Sequence, residues 1–253
     1  MDDRLQPIVR MEAVSHCFAD GSTGLSRVSL DVAPGEFVVL CGKNGSGKTT
    51  LIRHMNALLL PTKGVVLVAG KDTRKHPANA RRMVGMVFSD ADAQIVGETV
   101  ADDAAFGPEN LGMPHQEVKA RVEAALSAVG LSHLAHRPPH LLSGGEKRRL
   151  AIAGVLAVDP GVVVFDEPFS NLDFPGIVQV LEQMERLRAR GVALVVATHE
   201  LEKVAAMADR LVVLDQGRIA AKGPFAEVAV GLEAFGVRTP PAAGRGGFDP
   251  WHT

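Results

Sequence analysis

Short apolar runs alternate with segments of helical period along most of the chain. Ile8 to Phe18 and Val28 to Val32 read as strands, separated by the turn-rich Asp20-Gly21-Ser22. Phe37 to Cys41 is continuously apolar, the pattern of a strand buried on both faces. Thr49 to Leu60 has helical character and stops at Pro61, and Val65 to Val68 and Val84 to Phe88 are further short strands. From about Ser89 to Val158 the period is helical. There Pro114 stands at a first helical position, Val118, Val122, Ala125, Leu126 and Val129 follow at helical spacing, and Gly130 ends the run. Alternation then returns with Val162 to Phe165, a helix from Ile177 to Arg190, Leu194 to Val196, Leu211 to Leu214 and Arg218-Ile219. This order predicts an α/β fold whose parallel sheet has right-handed crossovers, with the middle segment as a helical insertion. The tail from Arg238, rich in Pro, Gly and Ala, is expected to be disordered.

Composition narrows the class. Of 253 residues, 46% are hydrophobic but only 4% aromatic, so the apolar mass is Val, Leu and Ala, as in a buried parallel sheet. A formal net charge of -2 provides no global basic field for nucleic acid. The two cysteines, Cys17 and Cys41, lie in strand-like segments and read as small core residues rather than a disulfide or metal set. The start, Met1-Asp2-Asp3-Arg4, has no apolar leader, and the longest uncharged stretches fall well short of the ~20 residues a spanning helix needs. A cytosolic chain is expected, with any membrane role exercised through a partner.

Two motifs carry chemistry. Gly42-Lys43-Asn44-Gly45-Ser46-Gly47-Lys48-Thr49 has the spacing G-x-x-x-x-G-K-[ST], with an apolar strand before it and a helix after it. Its glycines allow a tight turn whose N–H groups point inward at phosphate oxygens, and the helix start adds its positive end. Lys48 is expected to neutralise the β- and γ-phosphates of ATP and Thr49 to ligate Mg²⁺, with Thr50 counted beside them in the nucleotide site. Asp166 and Glu167 end the apolar run Val162 to Phe165, and ligands of open α/β sheets gather at the carboxyl ends of strands. Asp166 is expected to hold Mg²⁺ and Glu167 to orient and deprotonate the attacking water.

With these motifs in place, Leu142-Ser143-Gly144-Gly145-Glu146 resembles the signature loop of ATP-binding-cassette (ABC) ATPases, with Glu146 where that family usually has Gln. Ser170-Asn171-Leu172-Asp173 resembles the D-loop, and Thr198-His199 resembles the switch histidine that contacts the γ-phosphate. Phe18 stands where the family stacks an aromatic ring on adenine. The resemblance covers roughly Ile8 to Gly223. It implies a P-loop NTPase core, an N-terminal antiparallel β portion and an inserted helical subdomain. Two copies, or one copy and a paralogue, would sandwich two ATP molecules, each site completed by the other chain's Ser143, Gly144, Gly145 and Glu146, with Asp173 linking the two sites. The implied division is residues 1–88 and 159–223 as nucleotide-binding core, 89–158 as signature subdomain and 224–253 as a short C-terminal extension.

A narrower likeness is carried by Val84 to Phe88, Gln94-Ile95-Val96, Thr99-Val100 and Ala105 to Gly112. These resemble the ATPase subunits of energy-coupling-factor (ECF) importers, which include cobalt-import ATPases and take up vitamins, cobalt and nickel. The likeness implies a peripheral protein on the cytoplasmic face of the cell membrane. Its membrane partners would be engaged through the acidic region from Ser89 to Asp103, where the ECF group has a groove for basic coupling helices; an exposed acidic face with helix caps is the other reading of these charges. Ser89 departs from the family, which has Gln there to reach Mg²⁺ and the attacking water. Ser89 acting through a bridging water, replacement by Gln94 or Asp90, and slower turnover are three outcomes that fit this change. A soluble ABC ATPase unconnected to transport, and a module that binds ATP without turning it over, are the competing functions.

Overall fold

The computed structural model describes residues 6–240. Ten strands form two sheets: β1 (Val9–Cys17), β2 (Thr23–Val32), β3 (Phe37–Cys41), β4 (Lys63–Val68), β5 (Lys71–Asp72), β6 (Val84–Val87), β7 (Val162–Asp166), β8 (Ala193–Ala197), β9 (Arg210–Asp215) and β10 (Arg218–Pro224). The first sheet is antiparallel, in the order β2-β1-β4-β5. The second is in the order β10-β9-β3-β8-β7-β6, parallel throughout except for the terminal β10. The longer helices are α1 (Lys48–Met55), α2 (Pro77–Met83), α3 (Val100–Asn110), α4 (His115–Ala128), α5 (Gly144–Val158) and α6 (Phe174–Ala189). The chain is thus an α/β P-loop fold with an N-terminal antiparallel sheet and a helical insertion.

The central strands are buried along their whole length because both faces are covered, and their alternation sorts side chains between two cores. Phe37, Val39, Cys41, Val163, Phe165, Leu194 and Val196 face α3 to α6. Val38, Leu40, Val162, Val164, Val195 and Ala197 face α1 and the antiparallel sheet. In α6 the spacing of Ile177, Val180, Leu181, Met184 and Leu187 supplies one apolar stripe, all of it buried.

Several boundaries differ from the sequence reading. The first helix ends at Met55 rather than Leu60: Asn56 Oδ1 accepts from the Leu58 N–H (3.2 Å) and Ala57 turns to φ +58°, which closes the helix five residues early. Pro114 is extended and precedes α4 instead of opening it, since the residue's ψ of 140° belongs to a cap. The helix expected from Ile177 begins at Phe174, because the Asp173 carboxylate accepts from the Gly176 N–H and fixes the start one turn earlier. Cys41 is a core residue as expected, but Cys17 is exposed: it ends β1 on the outward side of the strand. The tail expected to be disordered lies, beyond residue 240, outside the described residues. Among the described residues no helix is long and apolar enough to cross a membrane.

One close approach joins the sheet to the insertion. A Cβ added to Gly85 of β6 would stand 2.4 Å from Val155 Cγ1 of α5. Val155 is β-branched and stiff, so relief must come from the helix itself. Gly85→Ala is expected to cost about 1–3 kcal/mol of stability in chemical denaturation, with the loss concentrated in faster hydrogen exchange of α5.

Candidate functional site

The phosphate loop leaves β3 and runs into α1. Gly42 has φ +142°, and a Cβ there would stand 2.1 Å from the Leu214 carbonyl oxygen, so only glycine lets the loop cross the end of β9. Gly47, at φ +105°, precedes the helix, and its own Cβ would meet the Gly24 carbonyl at 2.8 Å. Asn44 and Gly45 are exposed at the crest, while Ser46 is buried with no hydrogen-bond partner for its hydroxyl among the described residues. The aliphatic stem of Lys43 lies against Gly236 of the C-terminal segment.

Register brings the remaining groups to this loop. Ala197 of β8 pairs with Leu40 on one side and Asp166 on the other, so the ends of β3, β8 and β7 form one row. Asp166 is buried at the end of β7, and Thr49 Oγ1 donates to its carboxylate at 3.2 and 3.4 Å. Burial, outweighing the Thr49 hydrogen bond, raises the Asp166 pKa above its ordinary value. Glu167 follows at φ +46°, a costly conformation for a non-glycine residue, held by its N–H donating to the Ala197 carbonyl (2.8 Å). Its carboxylate lies 3.0 Å from His199 Nδ1 and 4.0 Å from Lys48 Nζ. Lys48 also donates to the carbonyls of Gly42 (2.8 Å) and Lys43 (3.4 Å). One carboxylate therefore joins the loop lysine to the strand-end histidine.

Ser143 and Glu146 form a reciprocal capping box at the start of α5. The Ser143 N–H donates to Glu146 Oε2 (2.7 Å), and the Glu146 N–H donates to Ser143 Oγ (3.3 Å). These bonds lower the Glu146 pKa. The acid that departs from the resembled signature loop thus closes the helix, leaving the first-turn N–H groups of Gly144 and Gly145 without intrahelical acceptors. Ser143, Gly144, Gly145, Glu146 and Asp173 line one cavity of about 440 Å³ that contains no residue of the phosphate loop. Among the described residues, the phosphate loop and this cavity do not meet.

Among the described residues no side-chain hydrogen bond joins Ser89 to Thr49 or Asp166. Ser89 lines a cavity shared with Asp90, Arg148 and Asn171. The two proposed stand-ins are engaged elsewhere. Gln94 accepts from the Phe88 N–H (2.9 Å) and donates to the Met86 carbonyl (3.2 Å), strapping the end of β6. Asp90 accepts from the N–H groups of Asp92 and Ala93, capping a turn. What the sequence did not reveal is Arg148. This buried arginine of α5 donates to the main-chain carbonyls of Phe88 and, at 2.6 Å, Ser89, while its neighbour Lys147 pairs with Asp92. Nothing in Arg148-Arg149 marks one arginine as buried; only the fold separates them.

The acids after Ser89 are largely hydrogen-bonded within the chain, and Asp92 pairs with Lys147. Asp102 closes a capping box with Thr99, and buried Asp103 accepts from the N–H groups of Val96 (2.8 Å) and Gly97 (3.0 Å). The surface between β6 and α5 is instead an apolar groove of about 310 Å³ flanked by exposed Leu58, Val96 and Phe106. Phe18 is 40% exposed, on the surface rather than in the core.

The Thr49 hydroxyl beside a buried carboxylate is a hard-oxygen donor pair that fits a divalent cation such as Mg²⁺. Because burial raises the Asp166 pKa, its charged form costs the fold stability, a cost that disappears as pH falls below the unfolded value. Asp166→Asn is therefore expected to melt at a higher temperature than the parent at pH 7, with the gap narrowing in acid, and to lose the added thermal stabilisation that Mg²⁺ gives with ATP.

Comparison with known proteins shows the family. A family model described as ABC transporter matches residues 25–170. The cobalt import ATP-binding protein CbiO of Rhodobacter capsulatus is 45% identical over 227 residues, 88% of this chain and 81% of that protein. The energy-coupling factor transporter ATP-binding protein EcfA1 of Symbiobacterium thermophilum is 47% identical over 250 residues, 93% and 87% of the two chains. Among solved structures, CbiO1 from Clostridium perfringens, described as part of the ABC transporter complex CbiONQ, superposes with a TM-score of 0.80 at 33% identity, covering 90% of this chain and 93% of that one. The ATP-binding cassette MJ0796, in a dimeric post-hydrolysis state bound to ADP and Pi, gives 0.77 at 26%, covering 86% and 98%. With a family model spanning more than half of its length, and close relatives along nearly all of it, the chain belongs to the ABC transporter family of ATP-binding proteins.

Proposed function

We propose that this chain is the ATP-hydrolysing subunit of an energy-coupling-factor type importer, driving uptake of a micronutrient such as a vitamin or a cobalt or nickel ion through membrane partners. The observation that carries the reading is the separation of two half-sites on one chain. The phosphate loop meets Asp166, Glu167 and His199 at one place, and Ser143 to Glu146 with Asp173 opens at another. A second copy or a paralogue, turned head to tail, would complete each ATP site with the other's helix start. The dimeric MJ0796 cassette, bound to ADP and Pi, supports that arrangement.

In this reading phosphate oxygens replace the loop carbonyls as acceptors for Lys48, and the N–H groups from Gly42 to Thr49 surround them. Thr49 and Asp166 would hold Mg²⁺, which would neutralise phosphate charge. Glu167 orients a water and takes its proton as the water oxygen bonds to the γ-phosphorus and the bond to the bridging oxygen of ADP breaks. His199 holds the second oxygen of Glu167 and lies beside the leaving phosphate. Phe18 offers its exposed face to the adenine. The chain would sit on the cytoplasmic face of the membrane, its apolar groove receiving a helix of the membrane partner. ATP-driven closing and opening of the dimer would then move that helix.

Turnover decides between a motor and a binding module. Glu167→Gln is expected to lower the hydrolysis rate by about 10²-fold or more, with wild type well above it and Ser89→Gln at or above wild type. A wild-type rate equal to that of Glu167→Gln would leave only ATP binding. Leu58→Asp combined with Phe106→Asp is expected to abolish co-purification with the membrane subunits while ATP still raises the melting temperature. Retained co-purification would place the membrane contact elsewhere, and co-purification with ribosomes or DNA would favour a soluble ABC ATPase.

A further inference from the structure

Beneath Phe18 runs a set of side chains that the phosphate chemistry does not use. His16 lies near the end of β1 and Phe18 just past it, and their rings are in contact. His16 is 9% exposed and meets the Phe18 ring edge-on, with centroids 4.7 Å apart and planes at 78°. It meets His54 in the same manner, at 4.8 Å and 77°. His54 is fully buried on α1. Each imidazole is tied to the main chain through Nδ1, His16 to the Leu60 carbonyl (3.1 Å) and His54 to the Thr50 carbonyl (2.7 Å). A carbonyl only accepts, so Nδ1 carries the proton in both rings. Burial pushes the His54 pKa down, which disfavours a charge on that ring.

The contacts close into a loop around Gly24 of β2. A Cβ there would stand 2.7 Å from Phe18 Cε2 and 3.0 Å from Thr50 Cγ2, so ring and methyl converge on a backbone with no side chain. Thr50 follows Thr49 directly at the start of α1. An unbroken series of contacts, Phe18 to His16 to His54 to Thr50, therefore connects the exposed ring to the helix that ends the phosphate loop.

We propose that His16 is a positioning residue for the nucleotide base, setting the pitch of the Phe18 ring and its distance from the phosphate loop. The inference rests on the reading of Phe18 as the adenine platform. The Phe18 ring is 40% exposed, and its contact with the His16 ring restrains its plane. Because His16 leans on His54, and His54 on the carbonyl of Thr50, base and triphosphate meet two ends of one preorganised unit. Less freedom is then lost when ATP binds both.

Calorimetric titration of the full chain with Mg²⁺-ATP and with Mg²⁺-tripolyphosphate, which has phosphates but no base, tests this. His16→Ala is expected to weaken ATP binding about three- to tenfold and leave tripolyphosphate within about twofold, while His16→Phe, which keeps an aromatic edge, restores ATP affinity. Phe18→Ala is expected to weaken ATP alone, and adding His16→Ala to it to weaken ATP no further. If Phe18→Ala leaves ATP affinity unchanged, the base-platform reading fails. If Phe18→Ala weakens ATP but His16→Ala does not, or His16→Ala weakens both ligands alike, the positioning role alone is overturned. Should His16→Ala fail to fold, His16→Leu against His16→Phe carries the comparison: weaker ATP binding in the leucine variant only supports the role, and equal affinities overturn it.

Discussion

The row formed by Leu40, Ala197 and Asp166 is the constraint on which the site depends. Parallel strands all end on the same edge, so one register delivers the phosphate loop, the acid pair and His199 to a single place, although they come from distant parts of the sequence. A slip of one residue would exchange the two faces of a strand, and here both faces are committed to separate cores. The burial that makes the sheet stable is thus also what fixes the chemistry.

That edge gathers groups that the fold would not choose for stability. Asp166 carries charge where burial opposes it, and Glu167 sits at positive φ. Gly42 threads past the Leu214 carbonyl where no side chain fits. Each is held by neighbours in regular structure: the Thr49 hydroxyl, the Ala197 carbonyl and the end of β9. Strain concentrated beside a rigid ladder is a common mark of a site whose geometry must not relax.

Much of this was legible in the chain. The positions of most strands along the chain, the phosphate loop, the acid pair and the turn at Ser143 are local patterns, and local patterns survive in sequence. What escaped was long-range. The burial of Arg148 depends on α5 passing the end of β6, 59 residues away from Ser89 in sequence. For Asp102 and Asp103 the helix caps were one of two readings, and what escaped was the burial of Asp103 against the N–H groups of Val96 and Gly97. His16 and Phe18 are close in the chain, but their partner His54 belongs to another element. Cys17 was misplaced because β1 is apolar on one side only, and the strand's last residue falls on the other.

The grip of Arg148 on the end of β6 has a consequence for how the chain tolerates change. Its guanidinium holds the carbonyls of Phe88 and Ser89, and every amino acid has a carbonyl. The mechanical tie between the signature helix and this loop is therefore written in main chain, indifferent to which side chain occupies position 89. The side chain at that position can change while the two parts stay yoked.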